Sequence, residues 1–121
     1  MKIRKSAEDY LETMLILKEK HGYIRSVDIA EHLNVTKPSV SYAVKNLREN
    51  GYIEMDRSGF ITLNESGMKI ASEIYSRHKI LTNLFTMMGV DPDTAMSDAC
   101  KVEHCISDET FKAICDYMEN K

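Results

Sequence analysis

Two short helical segments with apolar periodicity, joined by a three-residue turn, lie between Ser26 and Leu47. Ile29, Ala30 and Leu33 share one side of a helix over 26–33, and Val40, Ala43, Val44 and Leu47 form the buried stripe of a second. Thr36 caps this second helix, and Pro38 falls in its first turn, where a missing N–H costs little. Asn34 tolerates the left-handed backbone that so tight a turn requires. A helix, a short turn and a second helix with polar outer positions suit insertion of the second helix into a DNA major groove. Small Ala30 lets the two helices approach, and Val35, Val40 and Leu47 are expected to close the core beneath them.

The flanking sequence extends this unit on both sides. Ser6 is expected to cap a first helix in which Leu11, Met14, Leu15 and Lys18 follow at helical spacing until His21-Gly22. After Gly51, the alternating Ile53, Met55, Ile61 and Leu63 flank Arg57-Ser58-Gly59 and predict a hairpin, placed as a wing. Asn64 is expected to cap a long fourth helix with Ala71, Ile74, Leu81, Phe85 and Met88 as its apolar stripe and His78 upon it. Asp91-Pro92 opens a fifth helix. Ser107-Asp108-Glu109 opens a sixth, with Phe111, Ile114, Cys115 and Met118 on one face. The expected fold class is mainly α with a small β-hairpin wing.

With 121 residues, a large multidomain enzyme is excluded. A hydrophobic content of 43% can build a core, and 29% charged residues argue against a membrane protein, while no run approaches the roughly 20 apolar residues of a span. The basic start Met1-Lys2-Ile3-Arg4-Lys5 gives way to Ser6-Ala7-Glu8-Asp9 where a signal peptide would need an apolar stretch. Three cysteines, all after residue 99 and without a CxxC pair, suit a reducing compartment. The chain therefore reads as globular and cytoplasmic.

The net charge of −3 hides a polarity. Residues 1–50 hold nine Lys/Arg and seven Asp/Glu, whereas residues 51–121 hold seven and twelve. From Pro38 to Arg48 there are two basic residues and no acidic one. Such a stretch can face phosphates, although it can also be a plain solvated helix face. The hydroxyls of Thr36, Ser39 and Ser41 can bond phosphates or base edges, and Tyr42 can pack on a thymine methyl. Lys37, Lys45 and Arg25 can neutralise backbone charge, and Arg57 sits at the hairpin tip. Together with Pro38 these are the candidate DNA-binding residues.

A second constellation lies later. Cys100, Glu103 and His104 stand at i, i+3 and i+4, one helical face within reach of one ion. Asp9 and Glu12 repeat the i, i+3 spacing on the first helix, and His78 on its apolar stripe needs a partner. Thiolate, imidazole and carboxylate suit a first-row transition ion better than calcium or magnesium. Each residue also has a duller reading. Asp9 and Glu12 can serve the positive end of a helix, Cys100 can be small core filler, His104 can be solvated, and His78 can bond a carbonyl.

Glu8-Asp9-Tyr10-Leu11-Glu12, Tyr75-Ser76-Arg77-His78, Asp98-Ala99-Cys100-Lys101-Val102-Glu103-His104 and Ser107-Asp108-Glu109 occur in that order. Through them the chain resembles, over nearly its whole length, the diphtheria toxin repressor family, including its manganese transport regulator branch. The resemblance implies a dimeric, metal-activated transcriptional repressor with a winged helix-turn-helix over 1–63 and a helical metal-binding and dimerisation domain over 64–121. It implies metal-ligand positions at Asp9, Glu12, His78, Cys100, Glu103 and His104. Asp9 and Glu12 look like the manganese branch, while Cys100 stands where the iron-responsive branch has cysteine. Thr82 and Met96 replace the ancillary Glu and His of the iron branch, and its SH3-like third domain has no counterpart in these residues.

The expected function is a homodimeric repressor that occupies palindromic double-stranded operators of metal-homeostasis genes when Mn(II) or Fe(II) is plentiful, with Co(II) or Zn(II) as substitutes in vitro. An alternative is a metal-independent winged-helix regulator gated by a small organic ligand. An enzyme is not expected: a hydrolase using Glu103 as general base would need an open coordination position and a substrate cleft, for which six helices and a hairpin offer little wall.

Overall fold

The computed structural model describes residues 5–120. The basic start up to Arg4 lies outside them. Six helices and one two-stranded antiparallel sheet follow in the order α1 (Lys5–His21), α2 (Ser26–Leu33), α3 (Lys37–Glu49), β1 (Ile53–Met55), β2 (Ile61–Leu63), α4 (Glu65–Met87), α5 (Pro92–Val102) and α6 (Asp108–Glu119). The chain divides into two compact units, Met1–Ser72 and Glu73–Lys121, with the division inside α4. It is a mainly α protein with a small hairpin wing.

In the first unit α1 packs against α2, α3 and β2. Its middle, from Tyr10 to Leu15 and again at Leu17, is buried, as befits a helix surrounded by other elements rather than one lying on a surface. It is already helical at Lys5, so Ser6 lies inside the first turn and does not cap it. Ile29 and Val40, both fully withdrawn from water, join α2 to α3 in the core with Val44 and Leu47. Burying an aliphatic side chain of this size contributes about 1.5–3 kcal/mol.

The α2–α3 turn forms as its residues require. Asn34 adopts φ 55° and ψ 50°, and the Val35 N–H reaches back 3.1 Å to the Ala30 carbonyl, closing the end of α2. Thr36 Oγ1 accepts from the Ser39 N–H, and Pro38 sits in the first turn of α3. Val35 itself is 38% exposed and does not join Val40 and Leu47 in the core, because it occupies the turn where the backbone, not the side chain, makes the closure.

The hairpin pairs Ile53 with Leu63, Glu54 with Thr62 and Met55 with Ile61. Ile53, Ile61 and Leu63 face inward and Glu54 and Thr62 outward, as alternation demands. At the tip the Asp56 carboxylate accepts from the N–H groups of Ser58 (2.9 Å) and Phe60 (3.0 Å), and Gly59 takes φ +88°. A segment outside the hairpin adds to its edge: Ile61 N–H donates to the Ile24 carbonyl at 2.9 Å, and Arg25 bridges to Phe60.

The start of α4 is tied to the loop after α3. Asn64 Nδ2 and Ser66 Oγ both donate to the Gly51 carbonyl, so the Asn64 side chain braces that loop, while its own carbonyl accepts from Met68 N–H. Gly67 meets Tyr52 so closely that a Cβ would stand 2.2 Å from the Tyr52 carbonyl oxygen.

In the second unit α4 buries Ile74 and Leu81, and α5 buries Ala95 and Ala99 completely. Asp91 caps α5 by accepting from the N–H groups of Asp93 and Thr94, and Ser107 caps α6 by accepting from Thr110. Met88 is 71% exposed, since α4 stops at Met87 and Met88 falls outside the helical stripe expected to include it. No residue of α6 is fully buried; Phe111, Ile114, Cys115 and Met118 form a half-buried face.

Candidate metal centre and nucleic-acid interface

The reader side of the first unit is built on α3. With Val40, Val44 and Leu47 turned inward, Lys37, Pro38, Ser39, Ser41, Tyr42 and Lys45 are left on the exposed side. Tyr42 is 71% exposed, so most of its aromatic ring faces water. Thr36 donates its hydroxyl to Ser39 Oγ at 2.8 Å, besides accepting from the Ser39 N–H, so the two residues form one exposed polar knot at the helix N-terminus. That terminus carries the positive end of the helix dipole and no acidic residue in its first turn.

The wing supplies the remaining cations. Arg57 is exposed at the tip shaped by Asp56. Arg25 is exposed on the added edge, with its guanidinium 6.0 Å from the Phe60 ring centre, and Tyr23 meets the same ring edge-on. The positioning role of Asp56 was not anticipated from sequence. Its signal was the Asp-x-Ser-Gly spacing, in which a carboxylate two residues before an N–H closes a turn.

The metal-ligand candidates fall in both units. On α1, Asp9 is half-buried and Glu12 buried, and their carboxylate oxygens lie within 4.8 Å of one another. Two like charges at that distance, one of them shielded from water, favour a cation beside them.

In the second unit the organising group is Glu103, whose side chain is fully withdrawn from water. Its Oε2 lies 3.0 Å from His78 Nδ1, projecting from α4, and its Oε1 lies 3.4 Å from His104 Nε2. The His104 side chain is itself only 2% exposed. Helix α5 ends at Val102, so Glu103 forms its C-cap with helical backbone angles and His104 follows in the turn. Cys100 stands one turn earlier on α5 and is exposed. A buried carboxylate is costly without compensating charge or hydrogen bonds. Two imidazole nitrogens, one at each oxygen, make a mixed N/O donor set of the kind first-row divalent ions take. The residues present fit such an ion.

Sequence reasoning missed Arg77, the neighbour of His78. Its Nη1 donates to the carbonyls of Glu103 (3.2 Å) and Ile106 (2.9 Å), its Nη2 to the Asp108 carboxylate, and its guanidinium lies 5.1 Å from the Phe111 ring centre. No helix of the described residues is long and apolar enough to cross a membrane.

A winged helix-turn-helix together with two imidazoles around a buried carboxylate has the parts of a DNA-binding regulator that takes a metal. Residues 2–59 match the family model described as the iron dependent repressor N-terminal DNA binding domain, and residues 64–121 match that of the iron dependent repressor metal binding and dimerisation domain. The chain belongs to this family of dimerising, metal-dependent DNA-binding transcriptional repressors, whose members are regulators and not enzymes.

It is 37% identical over 116 residues to an uncharacterised HTH-type transcriptional regulator of Methanocaldococcus jannaschii, covering 94% of this chain and 93% of that one. It is 37% identical over 110 residues to the transcriptional regulator MntR of Escherichia coli O157:H7, covering 91% and 71%. A solved manganese-dependent transcriptional repressor in complex with manganese superposes with a TM-score of 0.84 at 25% identity, covering 93% of this chain and 52% of that one. The present chain thus spans about half the length of that solved repressor.

Proposed function

We propose that the protein is a cytoplasmic homodimer that binds palindromic operators of metal-homeostasis genes when Mn(II) or Fe(II) is abundant, with residues 1–63 reading DNA and 64–121 binding metal and dimerising. The observation that carries this reading is the buried Glu103 carboxylate with an imidazole at each oxygen, inside the part of the chain that matches a metal-binding domain. The E. coli relative named MntR and the repressor solved with manganese support manganese as the first ion to test. A Cys100 thiolate in the donor set would soften it toward Fe(II), Co(II) or Zn(II). The half-buried apolar face of α6 supports a second copy as its partner.

Asp9, Glu12, His78, Cys100, Glu103 and His104 would hold the ion. When bound, it would supply a divalent positive charge to these carboxylate, imidazole and thiolate donors. Asp9 and Glu12 belong to α1 of the first unit, whereas the other four belong to the second unit. The DNA-binding form of the dimer is the one that sets two α3 helices about one DNA turn apart, roughly 34 Å. On the DNA side, Lys37, Lys45, Arg25 and Arg57 neutralise phosphates. Thr36, Pro38 and Ser39 seat the α3 terminus on the backbone, while Ser41 and Tyr42 reach base edges.

By linkage, the factor by which metal raises operator affinity equals the factor by which operator raises metal affinity, typically about 5–150-fold. The test is operator binding measured in chelator and across Mn(II), Fe(II), Co(II) and Zn(II). Affinity that rises with at least one of these ions supports the reading. A flat response refutes it and leaves the regulator gated by an organic ligand.

A further inference from the structure

Arg77 and His78 are consecutive on α4, and both hold Glu103, one by its backbone and one by its side chain. Arg77 Nη1 donates to the Glu103 carbonyl and to the Ile106 carbonyl, and so fixes both ends of the turn that carries Glu103 and His104. His78 Nδ1 meets the Glu103 carboxylate at 3.0 Å. The Arg77 guanidinium also reaches the start of α6, through the Asp108 carboxylate and the face of Phe111. Only 16% of its side chain is exposed, so it is a built-in brace and not a surface charge that happened to find partners.

We propose that Arg77 is a positioning residue for the metal centre. By clamping the 103–106 turn to α4 and to the first turn of α6, it holds Glu103 and His104 in the geometry that binds the ion, and couples that geometry to the helix offered to the second copy. The inference rests on the function proposed above. Its physical basis is the planar guanidinium, which bonds two carbonyls and a carboxylate in fixed directions while stacking on a ring; a lysine ammonium supplies the same charge without that fork. The carbonyls at the end of α5 would otherwise look for water, and a ligand turn that frays does not preorganise its ligands.

The experiment compares wild type, Arg77→Met, Arg77→Lys and Asp108→Asn for Mn(II) affinity by calorimetry, for the electron paramagnetic resonance spectrum of bound Mn(II), and for thermal unfolding in chelator. Loss of a group that supports metal ligands typically lowers metal affinity about 10–100-fold. Arg77→Met is expected to show a loss of that size with a broadened Mn(II) spectrum. Arg77→Lys should recover only part of the affinity, and Asp108→Asn should lose least, since both carbonyl bonds survive.

Equal Mn(II) affinity and spectrum in wild type and a folded Arg77→Met overturn the proposal and leave the metal reading intact. Should Arg77→Met fail to fold, Arg77→Lys and Asp108→Asn decide: wild-type affinity and spectrum in both overturn it. Wild-type protein that binds none of Mn(II), Fe(II), Co(II) and Zn(II), or that binds Mn(II) equally after His104→Ala, overturns the metal reading itself and this proposal with it.

Discussion

On the outer side of α3, Tyr42, Lys45, Ser39 and Ser41 lie in water, whereas Glu103 at the end of α5 is withdrawn from it altogether. Both regions are polar, and the proposed function gives each a charged partner, DNA for one and a divalent ion for the other. DNA presents a broad charged surface whose phosphates exchange places with counterions and water, so its contacts are best left solvated until it arrives. A divalent ion must shed its water to be bound selectively, so its ligands are held close together and shielded. On the proposed function, single changes on α3 each remove a modest part of a large interface, whereas changes at Glu103 and its imidazoles concentrate their effect in few groups.

The strongest test of that contrast is His104→Ala, which removes one imidazole from Glu103. It should bring operator affinity in saturating Mn(II) down to the metal-free value, a loss of about 1–3 kcal/mol of coupling. Metal stimulation left intact in gel-shift titrations would show that the buried cluster is not where metal acts.

Gly67→Ala tests the scaffold that the reader depends on. The added Cβ has no room beside the Tyr52 carbonyl, and this is backbone that cannot swing aside. Denaturant unfolding should show a loss of about 1–3 kcal/mol. An unaltered midpoint would mean that the Gly51–Tyr52 loop yields easily.

Smaller still is Lys45→Ala on the exposed face. It should weaken binding to all sequences alike and shallow the dependence on log salt by about one unit. A changed base preference would instead make Lys45 a reader of bases.

The least effect concerns Tyr10, whose burial pushes its phenol above the usual value near 10. The unfolded chain ionises first there, so stability present below pH 10 falls as pH rises through the folded value. Tyr10→Phe should flatten the alkaline limb of a pH-stability curve, and a limb of the same slope would place its origin elsewhere.

Much of this molecule was legible along the chain because its signals are local. Asn34 in the left-handed region, Thr36 as cap, Pro38 in the first turn, and Asp91 and Ser107 as caps each act within three or four residues, which is the range over which sequence spacing carries geometry. Ser6, Val35 and Met88 show where that logic stops. A serine or an apolar residue near an element's end satisfies the pattern on either side of the boundary, and only the backbone's hydrogen bonds decide which side it takes. Asn64 could bond within its own helix or across to Gly51; the distant carbonyl won.

What the sequence by itself determined was the order of elements, the outward polar face of α3 and the presence of thiolate, imidazole and carboxylate at helical spacing, since these follow from periodicities of two and 3.6 residues. What only tertiary structure decided was which of those groups lose their water. His78 of α4 meets the Glu103 carboxylate 25 residues further on, Arg25 joins the wing edge by pairing with Phe60, and Arg77 spans 26 to 31 residues to grip the 103–108 segment. Contacts between residues so far apart along the chain depend on how cores close, and no local spacing encodes that.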